Sequence, residues 1–473
     1  MKLYAAPLDF SPIAREMGID RGIPDQVAAE AAAAVDRYAA DRVSMTDIDF
    51  VTIDPAGSMD LDQAVDLSAR PGGGFRVRYA IADVAAFVAP GGALEQFSIA
   101  RGRTLYFPDY PARLHPAVLS EGEASLLPRQ LRPAVVWTID LDDRAEVVDV
   151  QVVRATVMSR ARYDYTQIEK MITTGTLPEP VELLPEIGRL RAATSERAGA
   201  LSLDLPDQRV VRNADGTFGL VIEPRLASMA CNAEISLLTG QVAGRMMAAA
   251  GTGILRTLPP AQDTDLDEFI AFAKLMGFTP ETQADDPAGL GRFLRSLGTG
   301  ARDMAVMRQA RTLLRGAGYT HLSADNPATP DDIHAGVGGY YAHVTAPLRR
   351  LVDRFATECC LAIAGNRPVP EWVESKLDTV AQAMDSTAAV AGRVERACLN
   401  LAEATVLAPW VGHNFTAAVL AVDTTRGSAD VFVDSPPVSA TCHGTPPAGS
   451  WATVTLTTAD TATRRTEFAW PAD

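Results

Sequence analysis

The way strand-forming and helix-forming stretches alternate along the chain limits its fold most. From Asp49 onward, "DFVTID" and "FRVRYAIADVAAFV" are rich in β-branched and aromatic residues and are separated by the turn-forming "ARPGGG", a pattern that predicts strands. Further strands are expected at "AVVWTIDLD" and "AEVVDVQVVRATV". The middle of the chain shows helical periodicity instead. Segregated sheet and helix regions of this kind indicate an α+β fold.

Three stretches in the middle of the chain predict helices: "EISLLTGQVAGRMMAAAG", "TDLDEFIAFAKLMG" and "PLRRLVDRFATECCLAIAG". In the second of them, Thr264 and Asp267 have the spacing of a capping box, and Gly277 is expected to end the helix.

After about Trp410 the chain becomes β-rich again. Short strands are expected at "FTAAVLAV", "ADVFVD", "VSATCH", "SWATVTLTT" and "RRTEFAW", which is typical of a small five-stranded barrel of the OB type. Residues 1–45 are mostly helical in pattern and too short for a barrel of their own. The sequence therefore predicts a helical segment at 1–45, a large α+β domain at 46–408 and a small barrel at 409–473.

Composition limits the location and the partners of the protein. No apolar run reaches the roughly 18 residues that a membrane span needs, and "MKLYAAPLDF" lacks the apolar core of a signal peptide. The five cysteines show no spacing typical of a zinc site. A cytoplasmic protein without membrane association is expected. The net charge of −16 argues against indiscriminate binding to polyanions, but it allows a local basic channel.

The stretch "TIDPAGSMDLDQA" brings three carboxylates, Asp54, Asp60 and Asp62, within nine residues. It lies between the apolar "FVTI" and "AVDL", so we expect the carboxylates at the rim of a sheet, with Asp60 and Asp62 on one strand face. Grouped like charges are costly without a counter-ion, and a hard divalent cation is the usual one. We therefore favour a Mg²⁺ or Mn²⁺ site over the alternative, a solvated turn.

A second stretch, "YYAHVTAPLRRLVDRF", predicts the start of a helix. Thr345 is expected to cap it and Pro347 to lie in its first turn, which puts Arg349 and Arg350 in that turn as well, where the helix dipole disfavours cations. Either both arginines extend to solvent, or they help the free N–H groups of the helix to bind an anion such as a phosphate. An acidic metal site beside an anion site suggests metal-assisted attack on a phosphodiester.

These two stretches resemble the RNase II/RNase R exoribonucleases, whose shared catalytic domain is called RNB. "TIDPAGSMDLDQA" is similar to the acidic motif of the family, and "HAGVGGYYAHVTAPLRRLVD" to its downstream signature. "YAIADVAAFV", "ARGRTLYFPDYPARLHP" and "SLLPRQLRP" follow in the family's order and at its spacing. The resemblance extends from about Asp49 to about Gly412, and the barrel then corresponds to the RNA-binding OB domain of these enzymes.

The resemblance implies an α+β RNB catalytic domain followed by an OB-type barrel. The implied activity is hydrolytic degradation of single-stranded RNA from its 3′ end to nucleoside 5′-monophosphates. The implied cofactor is Mg²⁺, with up to two ions and with Mn²⁺ as a substitute. Single-stranded RNA is then the expected partner, and we expect a monomer without an obligate protein partner.

The resemblance also assigns roles to residues around the reacting phosphate. Asp54, Asp60 and Asp62 correspond to metal-binding and catalytic aspartates. Gln63 stands where the family usually has a fourth Asp, which makes it a candidate metal ligand with a weaker charge. Arg349 corresponds to the arginine that binds the scissile phosphate.

Other residues correspond to family positions that contact RNA. Tyr106 matches a tyrosine at the terminal nucleotides, and Arg350 is the basic neighbour of Arg349. Tyr163 and Glu234 match a pair that senses the 2′-hydroxyl, and Glu395 matches a glutamate near the cleaved nucleotide.

The chain also departs from the family in several ways. Leu203 stands where relatives have an aromatic clamp, and residues 1–45 are too short to encode the N-terminal cold-shock barrels of the family. Gln63 leaves open a rival function, an RNA-binding protein with a weakened or inactive site. A second rival is a metal-dependent phosphodiesterase that acts on small nucleotides.

Overall fold

A computed structural model describes residues 8–197, 200–201, 208–223, 226–280 and 289–471. Leu203 therefore lies outside the described residues.

A seven-stranded sheet forms the base of the large domain. Its strands are β1 Val43–Ser44, β2 Val51–Asp54, β3 Gln63–Ala69, β4 Phe75–Ala82, β5 Leu131–Leu141, β6 Val147–Met158 and β7 Ala161–Asp164. The order across the sheet is β1-β6-β5-β4-β3-β2-β7. Neighbours are antiparallel except at the two edges, where β1 runs parallel to β6 and β7 parallel to β2. The strands expected from sequence lie in β2, β4, β5 and β6.

Helices surround this sheet. They are α1 Ser11–Glu16, α2 Asp25–Ala33, α3 Ala93–Arg101, α4 Tyr165–Thr174, α5 Leu184–Arg197, α6 Ala227–Ala250, α7 Asp263–Leu275, α8 Gly289–Ser296, α9 Ala301–Ala310, α10 Leu351–Ala364, α11 Glu371–Glu374 and α12 Leu377–Leu407. Two hairpins accompany them, β8 Gln208–Arg212 with β9 Phe218–Ile222, and β10 Gly253–Thr257 with β11 Gly318–Leu322. Within the described residues, no helix is both long and apolar enough to cross a membrane.

The main core lies between the sheet and the two apolar helices α6 and α10. It joins strand residues such as Val77 and Trp137 to Ile235 of α6 and Phe355 of α10, all of them buried. α10 also carries buried charges, and each has a partner. Arg354, for example, binds Glu95 at 3.0 Å. Burial of paired charges fixes the position of α10, since removing one partner would leave the other uncompensated.

The ends of two helices differ from, or add detail to, what the sequence predicts. α7 begins at Asp263, after Gln262, and no side chain caps it, so the predicted capping box at Thr264 is wrong. Gly277 follows the end of this helix with φ +89°, as expected. In the Ala-rich N-terminal segment the helix ends at Ala33, because Ala34 adopts an extended backbone.

The C-terminal residues form a closed barrel of five strands. They are β12 Asn414–Asp423, β13 Ser428–Val433, β14 Val438–His443, β15 Trp451–Asp460 and β16 Arg465–Ala469. The order around the barrel is β12-β13-β14-β16-β15, and β14 and β16 are parallel. Leu407, at the end of α12, packs into the barrel core. The barrel predicted from sequence is confirmed.

Candidate active site

The topology of the sheet brings Asp54 and Asp62 to one edge. Asp54 is the last residue of β2, and Asp62 directly precedes β3. The two strands are antiparallel, so the end of one lies beside the start of the other. Between them, Arg162 of β7 donates to the Ser58 carbonyl at 2.7 Å and holds the connecting loop.

Asp62 is the most enclosed of the three carboxylates, with 3% of its surface exposed. Its Oδ1 accepts a hydrogen bond from the Leu348 N–H at 2.8 Å, and its Oδ2 lies 3.5 Å from Nε of Arg349. Burial raises the pKa of Asp62 to about 8, although the charge of Arg349 opposes the shift. Burial of this carboxyl group in a dry site beside an arginine therefore costs folding free energy.

Asp54 and Asp60 belong to the same electrostatic group. Burial raises the pKa of Asp54 to about 7, with Arg349 opposing the shift and Asp60 adding to it. Burial also raises the pKa of Asp60, which Arg349 again opposes. One guanidinium group thus acts on all three carboxylates, and elevated carboxyl pKa values in a shared site are typical of functional centres.

The arginine is presented by a turn rather than by the first turn of a helix, which corrects the sequence expectation. α10 begins only at Leu351, and Arg350 before it is extended, with φ −134° and ψ 126°. The N–H groups that would have started a helix earlier are used elsewhere. Ala346 donates to Asp353 at 2.6 Å and Leu348 donates to Asp62. Because carboxylates satisfy these donors, the segment stays a turn and directs Arg349 to Asp62.

Tyr106 lies on the wall of the same site. Its side chain is 54% exposed, yet burial raises the pKa of its hydroxyl to about 12 while Arg349 lowers it. Its ring is therefore open to solvent, while its hydroxyl lies within the electrostatic influence of Arg349, Asp60 and Asp62. The role that the resemblance implies for Tyr106, contact with the terminal nucleotides, stays a prediction.

Gln63 uses both ends of its amide inside the protein. Its Oε1 accepts from the Tyr79 hydroxyl at 2.5 Å, and its Nε2 donates to the Thr345 carbonyl at 2.6 Å. The Tyr79 hydroxyl also contacts Ser236 Oγ of α6 at 2.8 Å. Gln63 therefore joins β3 to β4 and to the turn that carries Arg349. An amide oxygen has two lone pairs; Tyr79 donates to Oε1, and Ser236 Oγ donates to the same oxygen at 3.5 Å.

The structure gives different surroundings to Tyr163, which the resemblance assigns to ribose sensing, and to Tyr165, and the assigned role stays a prediction. Tyr163 pairs with Ile53 across the parallel β2–β7 ladder and packs against the main core. No hydrogen bond joins it to Glu234 in the described part of the chain. Tyr165, two residues later, is the tyrosine near Asp54, and burial followed by the charge of Asp54 raises its pKa. Asn232 of α6 lies 3.5 Å from its hydroxyl.

Glu234, Glu395 and Arg350 have surroundings that the sequence did not predict. Burial raises the pKa of Glu234, and Arg191 opposes the shift. Glu395 lines a cavity of about 470 Å³ between α12, α9 and the barrel, so the structure does not place it with the three aspartates. Arg350 binds both oxygens of Asp353, at 2.9 and 2.7 Å.

The donor chemistry of the site fits a hard divalent cation. Oδ2 of Asp54 is buried and has no hydrogen-bond partner among the described residues, and burial raises the pKa of all three carboxyl groups. Carboxylate oxygens are the ligands that Mg²⁺ prefers, and a bound cation would compensate their charge. In the part of the chain that the structure describes, no three His, Cys, Asp or Glu side chains form a complete metal site.

Comparison with protein families identifies the large domain. Residues 42–359 match the model of the RNB domain, and residues 413–470 match that of the RNase II-type exonuclease C-terminal S1 domain. The chain belongs to the RNB family. The resemblance inferred from the two signature stretches is confirmed, as is the combination of an RNB domain with a C-terminal barrel.

Individual relatives agree with this assignment. The chain is 26% identical to Ribonuclease R of Chlamydia trachomatis serovar D over 418 residues, which cover 86% of this chain and 58% of that protein. Among solved structures, Mycoplasma genitalium RNase R in complex with ribose methylated single-stranded RNA has a TM-score of 0.87 at 18% identity, covering 97% of this chain and 77% of that one.

The same fold occurs in a protein without nuclease activity. Yeast Ssd1, described as a pseudonuclease, matches with a TM-score of 0.71 at 16% identity, over 92% of this chain and 55% of that one. Similarity of fold therefore does not decide between an active and an inactive site, and the residues of this chain have to decide it.

Proposed function

We propose that this protein is a 3′→5′ exoribonuclease that hydrolyses single-stranded RNA to nucleoside 5′-monophosphates with Mg²⁺. Residues 46–408 form the catalytic domain in this proposal, and residues 409–473 form an RNA-binding barrel. The protein acts in the cytoplasm as a monomer, without an obligate protein partner.

One observation carries the proposal: Arg349 lies against the buried carboxylate of Asp62, and its charge also opposes the raised pKa values of the partly buried Asp54 and Asp60. Nε of Arg349 lies 3.5 Å from Asp62, and its side chain remains 48% exposed. A guanidinium group in this position can bind the oxygens of a phosphodiester from the open side while Asp62 fixes its orientation. Positioning of this kind is the main contribution that a protein makes to phosphoryl transfer.

Asp54, Asp60 and Asp62 would hold the metal ion, and Oε1 of Gln63 would be a fourth oxygen donor once it gives up its long 3.5 Å contact with Ser236. The ion supplies positive charge beside the phosphate and favours attack by water. The chain contributes the dry site, because burial of the carboxylates makes their interaction with a cation stronger than it would be in water. Mn²⁺ prefers similar donors and is expected to substitute.

Recognition of RNA involves groups on the wall of the cavity. The exposed ring of Tyr106 is suited to stacking on a base, a contact that tolerates any sequence. Tyr165 and Asn232 lie close to Asp54 and are better placed than Tyr163 to contact a ribose near the reacting phosphate. Glu234 remains a candidate for the same 2′-hydroxyl.

The proposal is tested by incubating 5′-labelled single-stranded RNA with the protein and Mg²⁺ and resolving the products on a gel. We expect progressive shortening with the label retained until a short end product remains. The Asp62→Asn variant should lose at least about 10³-fold in turnover, the size of effect seen when a central electrostatic group is removed, while RNA binding persists. Asp143→Asn, in the exposed β5–β6 turn, is the matched control and should retain full turnover.

Two outcomes would contradict the proposal. Early release of the labelled nucleotide would reverse the direction of degradation, and near-normal turnover of Asp62→Asn would move the active centre elsewhere.

The second candidate function is RNA binding with a weakened or inactive site. The observation that favours it is Gln63, whose amide is satisfied inside the protein where a fourth carboxylate would carry charge. In that case the native protein binds RNA but cleaves none at any concentration of Mg²⁺ or Mn²⁺.

A further inference from the structure

A group of three arginines adjoins the candidate active site and has no role in the proposed chemistry. It consists of Arg103, Arg256 and Arg350, which we call the arginine cluster. Arg103 and Arg350 form an isolated antiparallel bridge, and the Arg349 carbonyl accepts a hydrogen bond from the Thr104 N–H at 3.0 Å. The cluster is therefore attached to the turn that carries Arg349.

Aromatic and imidazole rings form the other side of the cluster. Arg256 of β10 stands opposite Tyr319 of β11, and its guanidinium carbon lies 4.7 Å from the centre of the Tyr319 ring. The Tyr319 hydroxyl lies 2.7 Å from Nδ1 of His343. The Tyr341 ring is 5.5 Å from that of His343. These rings place further N–H and O–H groups beside the guanidinium groups of the cluster.

The positive charge of the cluster exceeds the negative charge that the contacts provide. Arg350 occupies both oxygens of Asp353. In contrast, Nε of Arg103 and Nη1 of Arg256 are buried without a hydrogen-bond partner among the described residues. Burial lowers the pKa of Arg103, and the charges of Arg350 and Arg256 add to the effect. Such an arrangement is unfavourable by itself, because buried charged donors need acceptors.

A purely structural role explains only part of this arrangement. Stacking of Arg256 on Tyr319 stabilises the hairpin by a cation–π contact, but it leaves Nη1 without an acceptor. Water would supply acceptors without compensating the charge. An anion with several oxygens would do both.

We propose that the arginine cluster is a second anion site, which binds a phosphate group of the nucleotide held in the neighbouring active site. This inference rests on the proposed function, because RNA handling is what brings nucleotides to the site. Guanidinium groups suit phosphate oxygens in geometry and charge, and Arg349 and Arg350 are consecutive residues. The Arg349 carbonyl accepts from Thr104, the neighbour of Arg103, so a phosphate at the cluster adjoins the turn that positions Arg349.

The phosphate can come from the RNA chain or from a released mononucleotide. Calorimetry without divalent ions, in EDTA, separates these sources and prevents hydrolysis. The probes are inorganic phosphate, adenosine, adenosine 5′-monophosphate, adenosine 3′-monophosphate and a short oligoribonucleotide. The titrations are carried out in an Arg349→Gln background, so that binding at Arg349 does not contribute.

We expect the monophosphates to bind at least about tenfold more tightly than adenosine, equivalent to about 1.4 kcal/mol. Arg103→Gln should remove most of this difference, and Arg103→Lys, which keeps the charge, should restore part of it. Arg144→Gln, on the exposed β5–β6 turn, is the control and should change nothing. A larger loss of affinity on Arg103→Gln for the oligoribonucleotide than for either monophosphate would assign the site to the RNA chain, and the reverse to the product.

Equal affinities for adenosine and its monophosphates, or an unchanged phosphate affinity in both folded Arg103 variants, would overturn the inference. Circular dichroism establishes that these variants are folded. Because no cleavage is measured, the result is separate from the proposed function. A protein that binds phosphate at the cluster and never cleaves RNA would refute the exonuclease and leave the site standing.

Discussion

The exchange Gln63→Glu tests why an amide stands beside the carboxylates, since it replaces one NH₂ group by oxygen and keeps the length of the side chain. In the native protein, Nε2 donates to the Thr345 carbonyl at 2.6 Å and Oε1 accepts from Tyr79 at 2.5 Å. A carboxylate keeps the second bond, loses the first and places an anionic oxygen against the carbonyl oxygen.

The expected cost follows from these two contacts. The lost hydrogen bond contributes about 1 kcal/mol, and a partly buried carbonyl without a donor costs about 1–3 kcal/mol more. Without divalent ions at neutral pH, we therefore expect Gln63→Glu to lower the free energy of unfolding by about 2–4 kcal/mol.

The sign of the pH dependence can also be derived. Only a protonated carboxyl group can donate to the Thr345 carbonyl, so folding raises the pKa of the introduced group above its value of about 4.3 in the unfolded chain. Between the two pKa values the folded protein binds more protons than the unfolded one, and stability falls as pH rises. The variant should therefore approach native stability below the unfolded pKa and differ most above the folded one.

Urea denaturation of the variant and the native protein in EDTA, across this pH range, measures the difference. Gln96→Glu is the matched control. Gln96 donates to the Gly91 carbonyl at 3.1 Å in an exposed position, where water replaces the lost bond. If Gln63→Glu unfolds at the same urea concentration as native protein at neutral pH, the bridging role of the amide is refuted.

Adding Mg²⁺ to the same titration tests the metal site. An ion bound beside residue 63 should stabilise Gln63→Glu by about 2.7 kcal/mol at a hundredfold excess over the dissociation constant of the variant. At the same concentration it should stabilise native protein, which binds the ion more weakly, by less. Equal stabilisation of both proteins would place the ion away from this side chain.

Two further outcomes are expected at the candidate active site. Arg349→Ala should slow single-turnover cleavage far more than it weakens RNA affinity. The reason is that the arginine contacts the reacting phosphate, whereas affinity is distributed along the RNA. An unchanged cleavage rate would remove Arg349 from the site. Native protein should degrade RNA and stall on DNA, because the 2′-hydroxyl distinguishes the two polymers. Both Glu234→Ala and Tyr165→Phe should reduce the difference between the rates of RNA and DNA degradation. Equal degradation of both polymers by native protein would contradict a ribose-sensing contact.

Local pattern was sufficient to predict the strands around the acidic stretch and the barrel. Alternation of side chains along a strand is a property of a few consecutive residues, and so is the turn chemistry between strands. Asp54 and Asp62 meet because β2 and β3 are antiparallel neighbours joined by a short loop. The sequence could therefore place Asp54 and Asp62 at the rim of the sheet, but the expectation that Asp60 and Asp62 share a strand face is wrong, because both precede β3.

Contacts between distant segments could not be predicted in this way. Thr345 and Pro347 have the local features of a helix start, but Asp62 and Asp353 capture the N–H groups of the following turn. Asp62 is far away in sequence from Leu348, whose N–H donates to it. Likewise, Tyr163 lies in the ladder between β7 and β2, whereas Tyr165 begins α4 and is the tyrosine that lies near Asp54.

The chemistry around Gln63 gives a physical reason for an amide at this position. A donor, the Tyr79 hydroxyl, and an acceptor, the Thr345 carbonyl, approach the side chain from two sides. An ionised carboxylate could satisfy only the donor, whereas an amide satisfies both without adding charge to a site where Asp54 and Asp62 already have raised pKa values. In the absence of a cation, the amide is therefore the more stable choice. Gln63 stabilises the turn that carries Arg349. The site therefore binds a metal ion more weakly than it would with a fourth negative charge.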